Sequence, residues 1–302
     1  MHVKKVQLLL LALALLAVGV VVAGGFPWPT QNFPKQVPDA PSAYPPGELG
    51  KMVKLGEDII MNTNTHPLTK DYVGDSLQCK SCHLQGGKGK SRYATFIGVA
   101  TSYPAYSPRE KAVVSLEDRI LNCFMRSMNG TRPPVASKAS IAMAAYITWL
   151  SSGLPVDQNP NKPIGAYNTP WPDPAIVKLV KSGKVDMKHG KQVYDAQCAA
   201  CHGADGQGVG AFPPVWGDKS YNTGAGMANV IKGASWTKYN MPLGNAHLSD
   251  QDAVDVMAYV NSHERPSFKL TDHLAPAGKA GVYNSNVPQQ IIEAPTWPPK
   301  KK

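Results

Sequence analysis

Charged residues are scarce in this chain of 302 residues, at 17% of the total, which excludes a coiled coil or an acidic tail protein. No run of alternating apolar and polar residues indicates a β-strand. The formal charge of +10 comes without a helix-turn-helix, zinc-finger or RNA-binding motif. Half of that charge lies near the two ends, so we predict no nucleic-acid partner. The terminal lysines are Lys4, Lys5, Lys300, Lys301 and Lys302.

Apolar residues form 43% of the chain, which is enough for packed cores, and the length suggests about two domains. Proline and glycine are abundant, at 27 residues each. The prolines cluster over residues 26–47, again over 155–174, and a third time after residue 275. This composition predicts small, loop-rich domains joined by extended segments.

The N-terminus combines a charged start with an apolar run. Lys4 and Lys5 precede apolar residues 8–23, an order that is typical of a secretory signal peptide. The length of the run lies between a signal core and a membrane-spanning helix, so a cleaved signal and an uncleaved anchor over residues 6–23 are both open. Either one exports the body of the chain. We therefore expect a periplasmic protein, soluble or tethered to the inner membrane.

Four of the five cysteines form two copies of one pattern. In each copy two cysteines precede a histidine: Cys79, Cys82 and His83, then Cys198, Cys201 and His202. This C-x-x-C-H spacing is the attachment motif of c-type haem. One helical turn presents both thiols to the porphyrin vinyl groups, and the histidine binds the iron. The sequence predicts two covalently bound haem c groups, held by the cysteine pairs and ligated by the histidines.

Other uses of paired cysteines fit this chain less well. A thioredoxin-like motif needs a β-α-β context, which is not visible here. A zinc site needs two cysteine pairs near each other, but these two pairs lie in different halves of the chain. A disulfide between cysteines that are two residues apart is strained.

We predict an all-α fold with two class I cytochrome c-like domains, each with one covalent haem, joined by a proline-rich linker. Periodicity and capping residues predict helices at Leu49–Met61, Ser140–Leu150, Val177–Ala196 (broken near Gly183) and Ser249–Ser262. The predicted segments are a signal or anchor (1–23), a proline-rich lead (24–47), a first haem domain (48–153), the linker (154–175), a second haem domain (176–268) and an extended basic tail (269–302).

Each iron needs a sixth ligand or an open site. Met241 lies in a loop before the closing helix of the second domain, and a His/Met pair is typical of electron-transfer haems. We predict Met241 as the second distal ligand. The alternatives in the same region are Met227, Lys238 and His247.

The first domain contains the unpaired Cys123. Ser115 and Asp118 predict a capping box at the start of a helix. One face of this helix combines two arginines with a cysteine and a serine. That face consists of Arg119, Cys123, Arg126 and Ser127. A thiol between arginines would have thiolate character, and residues 76–140 hold ten basic residues against three acidic ones. A buried structural cysteine or a dimer disulfide remains an alternative interpretation.

The segment Leu116–Gly130 resembles the thiosulfate dehydrogenase family of dihaem c-type cytochromes. Asn240–Gly244 and the end of the closing helix, Tyr259–Ser262, show the same resemblance. The similarity covers about residues 45–268. Its C-x-x-x-S-M-N-G run is much more specific than either haem motif.

The resemblance implies that Cys123 is the distal ligand of the first haem, opposite His83, and it supports Met241 opposite His202. The implied substrate-binding residues are Arg109, Arg119 and Ser127. The first domain would then be catalytic, and the second would transfer electrons. The implied reaction joins two thiosulfates into tetrathionate and releases two electrons, or runs in reverse.

The implied partners are thiosulfate or tetrathionate and a soluble redox protein, such as a small cytochrome c, as electron acceptor. Arginine forks suit the oxygen atoms of such dianions, and Arg126 and Lys111 would add positive potential. Two other functions stay open from the residues alone. One is a non-catalytic periplasmic dihaem electron-transfer cytochrome, and the other is a sulfur-oxidation subunit that needs a companion chain.

Overall fold

The structure is a computed structural model, and it describes residues 36–156, 172–274 and 283–286. The predicted signal or anchor, most of the lead, the centre of the linker and most of the tail lie outside these residues. Within them, no helix combines the length and the apolar character that crossing a bilayer requires. Both haem domains belong to one compact unit of the chain.

The first domain consists of helices around one apolar core. Its helices are α1 (Gly47–Met61), α2 (Cys79–Cys82), α3 (Leu116–Arg126) and α4 (Lys138–Trp149), with 3-10 turns at Lys70–Tyr72, Leu84–Gly87 and Val99–Ser102. Helices α1 and α4 pack closely against each other. A Cβ on Gly56 would lie 2.0 Å from the carbonyl oxygen of Ala142, so only glycine allows the two backbones to approach this closely.

The second domain repeats this arrangement. Its helices are α5 (Pro174–Lys181), α6 (Met187–Gln197), α7 (Ala199–His202), α8 (Val230–Asn240) and α9 (Asp250–Ser262), with a 3-10 turn at Gly226–Ala228. Helices α6 and α9 pack against each other as α1 and α4 do. Gly190 allows their approach, because a Cβ there would lie 2.1 Å from the carbonyl oxygen of Asp255. The same glycine-mediated crossing in both domains supports a duplicated architecture.

The helix starts agree closely with the capping signals in the sequence. Ser115 and Asp118 form the capping box that begins α3, and Ser249 and Asp252 form the one that begins α9. Helix α3 ends at Arg126, and Met128 lies in the turn that follows.

The described residues also contain a small β-hairpin that the sequence did not indicate. Strands β1 (Ala105–Ser107) and β2 (Ala112–Val114) pair antiparallel. Three residues per strand are too few to show an alternating pattern, which explains why the hairpin was not predicted. The other regular elements of the described residues are helices, and the hairpin carries Arg109 in its turn.

Both flanking segments contact the first domain where the structure describes them. In the lead, the Ala43 carbonyl accepts a hydrogen bond from Trp149 Nε1 at 3.3 Å. The tail was predicted to be extended, but it begins with a short helix, α10 (Leu270–His273), whose first and last residues are buried. Further along, the backbone N–H of Asn286 donates to the Glu110 carbonyl at 2.8 Å.

The two haem domains share an interface. Tyr221 and Ala225 of the second domain are buried in the core of the first. The fully buried Asn222 donates through Nδ2 to the Met125 carbonyl at 2.8 Å and to Asn129 Oδ1 at 2.9 Å. Helix α8 of the second domain lies beside the first haem motif, because Trp236 Nε1 donates to the Cys82 carbonyl at 3.1 Å.

Candidate active site

The first attachment motif lies on the single turn of α2, with His83 directly after it. His83 Nδ1 lies 3.1 Å from the Ala94 carbonyl, so this nitrogen carries the proton and Nε2 is free to bind a metal. Burial lowers the pKa of His83 to about 4, which keeps the imidazole neutral. Burial also raises the pKa of Cys79 and of Cys82 to about 12.

The second motif has the same donor geometry. Cys198 directly follows α6, and Cys201 and His202 lie on α7. His202 Nδ1 lies 2.8 Å from the Pro213 carbonyl, which again leaves Nε2 as the metal-binding nitrogen. Burial raises the pKa of Cys198 to about 11. Two thiols on one turn and a histidine fixed by a carbonyl fit a covalently bound haem at both motifs.

Cys123 lies in the last half of α3 and faces the first motif. Its sulfur accepts a hydrogen bond from Arg119 Nη1 at 3.0 Å, across one helical turn. The Coulomb interaction with Cys123 is the main cause that raises the pKa of Arg119. Burial is the largest cause of the raised pKa of Cys79 and of Cys82, and the Coulomb interaction with Cys123 is a further cause for both. The three sulfurs therefore lie within electrostatic range of one another.

Arg109 reaches the same region from the turn of the hairpin. Burial and, as smaller causes, the positive charges of Arg126 and Arg119 lower the pKa of Arg109 to about 10. Arg109 and Arg119 both keep accessible surface although protein atoms crowd them.

Ser127 and Arg126 occupy different surroundings at the end of α3. Ser127 is half-buried, and its backbone N–H donates to the Cys123 carbonyl at 2.8 Å. Arg126 is buried over the ring of Phe268, and its guanidinium lies 4.0 Å from Glu110 Oε1. Arg126 therefore belongs to a buried ion pair, whereas Arg109 and Arg119 are exposed.

The structure separates the alternatives for the second distal ligand. Met241 directly follows α8 and is half-buried. Lys238 Nζ is held by two carboxylates, at 3.3 Å from Asp173 and 2.5 Å from Asp250. Met227 packs between the two domain cores. Met241 stays the predicted ligand, because Lys238 has other partners and Met227 lies at the interface.

Comparison with known proteins places the chain among dihaem cytochromes. Residues 72–156 match the family described as SoxA/TsdA, cytochrome c domain, and residues 187–264 match the cytochrome c family. The chain is 40% identical to the thiosulfate dehydrogenase of Thiomonas intermedia over 77% of its own length and 72% of that protein. It is 38% identical to that of Allochromatium vinosum, over 84% and 92% of the two chains.

The chain belongs to the thiosulfate dehydrogenase family. A solved thiosulfate dehydrogenase, TsdBA from Marichromatium purpuratum, superposes with a TM-score of 0.66 at 33% identity over 76% of this chain. This chain spans half the length of that protein. The family resemblance, the two helical cytochrome c domains and the two covalent haem c groups are thereby confirmed. The roles of the individual site residues stay predictions.

Two residues near the first haem motif of this chain were not identified from the sequence. Tyr103 precedes the hairpin. Burial raises the pKa of its phenol, whereas the charge of Arg119 and a hydrogen bond with Arg119 lower this pKa. Trp236 of α8 donates through Nε1 to the Cys82 carbonyl at 3.1 Å. Tyr103 stands in a loop without periodicity, and Trp236 lies on a helix that was not predicted. No pattern in the sequence links either residue to the first haem motif.

Proposed function

We propose that the chain oxidises two thiosulfate ions to tetrathionate. Each thiosulfate gives up one electron, and a sulfur–sulfur bond forms between the two terminal sulfurs. No oxygen atom or proton is transferred. The reverse reaction, in which two electrons split tetrathionate, uses the same site, and the electron acceptor or donor sets the direction.

The observation that carries this proposal is the pairing of a sulfur and a guanidinium beside the first haem motif. Arg119 Nη1 lies 3.0 Å from Cys123 Sγ, and Arg109 lies within electrostatic range of both residues. Two thiosulfate dianions repel each other strongly unless cations offset their charge. Arginine forks match sulfonate-type oxygens and stay protonated at all relevant pH values. Arg109 and Arg119 therefore bind the oxyanion ends, so that the terminal sulfurs meet near Cys123.

The haems that the two C-x-x-C-H motifs would hold would supply one-electron redox chemistry for the two electrons. The chain brings the two centres together through α8. Trp236 on this helix contacts the first motif through the Cys82 carbonyl, and Met241 follows the helix end at the second. A second haem held by His202 and Met241 would have a higher potential than a first haem held by His83 and a Cys123 thiolate. The second domain would then be the exit for electrons.

The external acceptor is a soluble one-electron protein, such as a small cytochrome c. The reaction takes place in the periplasm, because the charged and apolar N-terminus has the order of an export signal. This N-terminus leaves the protein either free or tethered to the inner membrane. No nucleic acid takes part.

Replacing Cys123 with Gly or Ala tests the catalytic role. Thiosulfate-dependent reduction of an external cytochrome c should fall by at least about 100-fold, the size typical for loss of one transition-state contact. The haem content by pyridine haemochrome should stay at two per chain. Ile141→Ala, an exposed change on α4, serves as the control.

A non-catalytic electron carrier would behave differently in this experiment. Its wild type would not consume thiosulfate, and all three variants would relay electrons equally. Turnover by the isolated wild-type protein would also exclude a subunit that needs a companion chain. Low-temperature electron paramagnetic resonance should show a thiolate-ligated low-spin signal in the wild type that both Cys123 variants lack.

A further inference from the structure

Helix α8 turns one face toward the first domain. Lys232, Trp236 and Asn240 are spaced four residues apart, so they share this face. Trp236 Nε1 donates to the Cys82 carbonyl at 3.1 Å, and Asn240 Nδ2 donates to the Arg92 carbonyl at 2.9 Å. The adjacent Gly233 faces α9 of its own domain. Lys232 therefore points across the interface, one turn before Trp236.

The charges of the first domain act on Lys232. Burial lowers the pKa of Lys232, and the positive charges of Arg109, Arg119 and Arg126 lower it further. The same arginines influence one another, since Arg126 and Arg119 lower the pKa of Arg109. The four cations, which come from both domains, therefore lie within electrostatic range of one another. Like charges in a partly buried region repel strongly.

These cations are only partly balanced by the chain. Glu110 faces Arg126 and also accepts hydrogen bonds from Asn122 and Tyr283. Cys123 Sγ accepts a hydrogen bond from Arg119 Nη1. Among the described residues, no carboxylate forms an ion pair with Arg109, Arg119 or Lys232. Four positive side chains share the single carboxylate of Glu110, so an excess of positive charge is left for a dianion.

We propose that Lys232 binds the oxyanion end of the sulfur dianion together with Arg109 and Arg119, so that the substrate site spans both domains. This inference rests on the proposed function, because it assigns a further binding residue to the same site. It also gives the second domain a part in substrate binding, in addition to electron transfer.

The test compares Lys232→Met, which removes the charge, with Lys232→Arg, which keeps it. Sulfate serves as the probe of binding, since it is an unreactive dianion with similar oxygens. Loss of a charge-assisted hydrogen bond should weaken sulfate binding in calorimetry and raise the thiosulfate KM, each by about 10- to 100-fold, in Lys232→Met. Lys232→Arg should recover most of both effects, and kcat should change less than KM.

Lys178→Met is the matched control. Lys178 is an exposed lysine on α5 without an ion pair to a described carboxylate, so this variant should bind sulfate and thiosulfate like the wild type. Haem content and circular dichroism of all variants establish that they fold.

The competing explanation is that Lys232 neutralises a haem carboxylate. In that case Lys232→Met would shift the reduction potential of the first haem and leave sulfate affinity and KM unchanged, which would overturn the proposal. A wild type that neither binds sulfate nor is inhibited by it would contradict the charge-based site. If the wild type binds sulfate through Lys232 but does not turn over thiosulfate, the proposed function fails and the binding site stands.

Discussion

Arg132 has no exposed surface, which is unusual for a charged side chain. Its Nη2 lies 2.7 Å from Asp118 Oδ1, and its Nη1 lies 2.8 Å from Asn122 Oδ1. Both partners are on α3, and Asp118 also completes the capping box with Ser115. Arg132 thus fixes the helix that carries Arg119 and Cys123.

We expect Arg132→Met to destabilise the protein by about 3–5 kcal/mol, because it leaves the buried Asp118 carboxylate without its charged partner. Denaturant unfolding followed by circular dichroism measures the change. Arg92→Met is the control, since Arg92 is exposed and its guanidinium lies over Tyr239. Equal losses for the two variants would contradict the structural role of Arg132.

Single residues differ in how far the sequence reveals them. The haem motifs were predictable because their chemistry depends on neighbours within five residues. Cys123 was conspicuous as the unpaired thiol, with Arg119 one turn away on the same helix. Lys232, Tyr103 and Arg132 were not predictable as site or anchor residues, since their partners lie on other elements and no spacing rule connects them.

At the scale of the elements, a histidine of α6 is paired with two carboxylates of α9 where the two helices cross. His189 Nδ1 lies 2.9 Å from Asp255 Oδ2, and its Nε2 lies 3.4 Å from Asp252 Oδ1. The hydrogen bond to Asp255 is the main cause that raises the pKa of His189. Asp255 is buried, whereas His189 keeps more than a third of its surface.

This pair makes the stability of the α6–α9 crossing dependent on pH. A folded-state pKa above the unfolded value means that the contribution is complete below about pH 6.5 and disappears as the pH rises through the folded pKa. His189→Gln should therefore unfold more easily than the wild type at pH 5.5, by at most about 1 kcal/mol for such an exposed pair. At pH 9 the two proteins should be equally stable.

Thermal unfolding at the two pH values provides the measurement. His247→Gln is the control, because His247 is exposed and makes no ion pair with a described carboxylate. A His189→Gln difference that grows toward pH 9 would show that the sign of the linkage is wrong.

Helices with one buried face were predictable, and helix α8 was not. The capping boxes at Ser115 and Ser249 marked two helix starts, because both are local signals. Residues 233–237 of α8 are all buried, since one side faces α9 and the other faces the first domain. A helix that is covered on several sides has no amphipathic period to detect.

At the scale of the whole molecule, isolated hydrogen bonds tie the two domains together. Asn222 has no exposed surface, and its bonds to Met125 and Asn129 cross the interface. Ser91 Oγ donates to Asn240 Oδ1 at 2.7 Å, close to the predicted distal ligand Met241. The sequence predicted two domains and a linker, but such single long-range contacts follow no pattern, so the shared interface was not foreseen.

We expect the two domains to stay associated after the chain between them is cut. A protease site introduced between residues 157 and 171 allows this cut, and no disulfide joins the described halves. The cut wild-type halves should co-elute in gel filtration, because the interface buries apolar side chains and satisfies Asn222. Asn222→Ala leaves the Met125 carbonyl and Asn129 Oδ1 unpaired, which should weaken association by about 10- to 100-fold. Asn245→Ala, at an exposed position, should change nothing; separate elution of the cut wild-type halves would refute the shared interface.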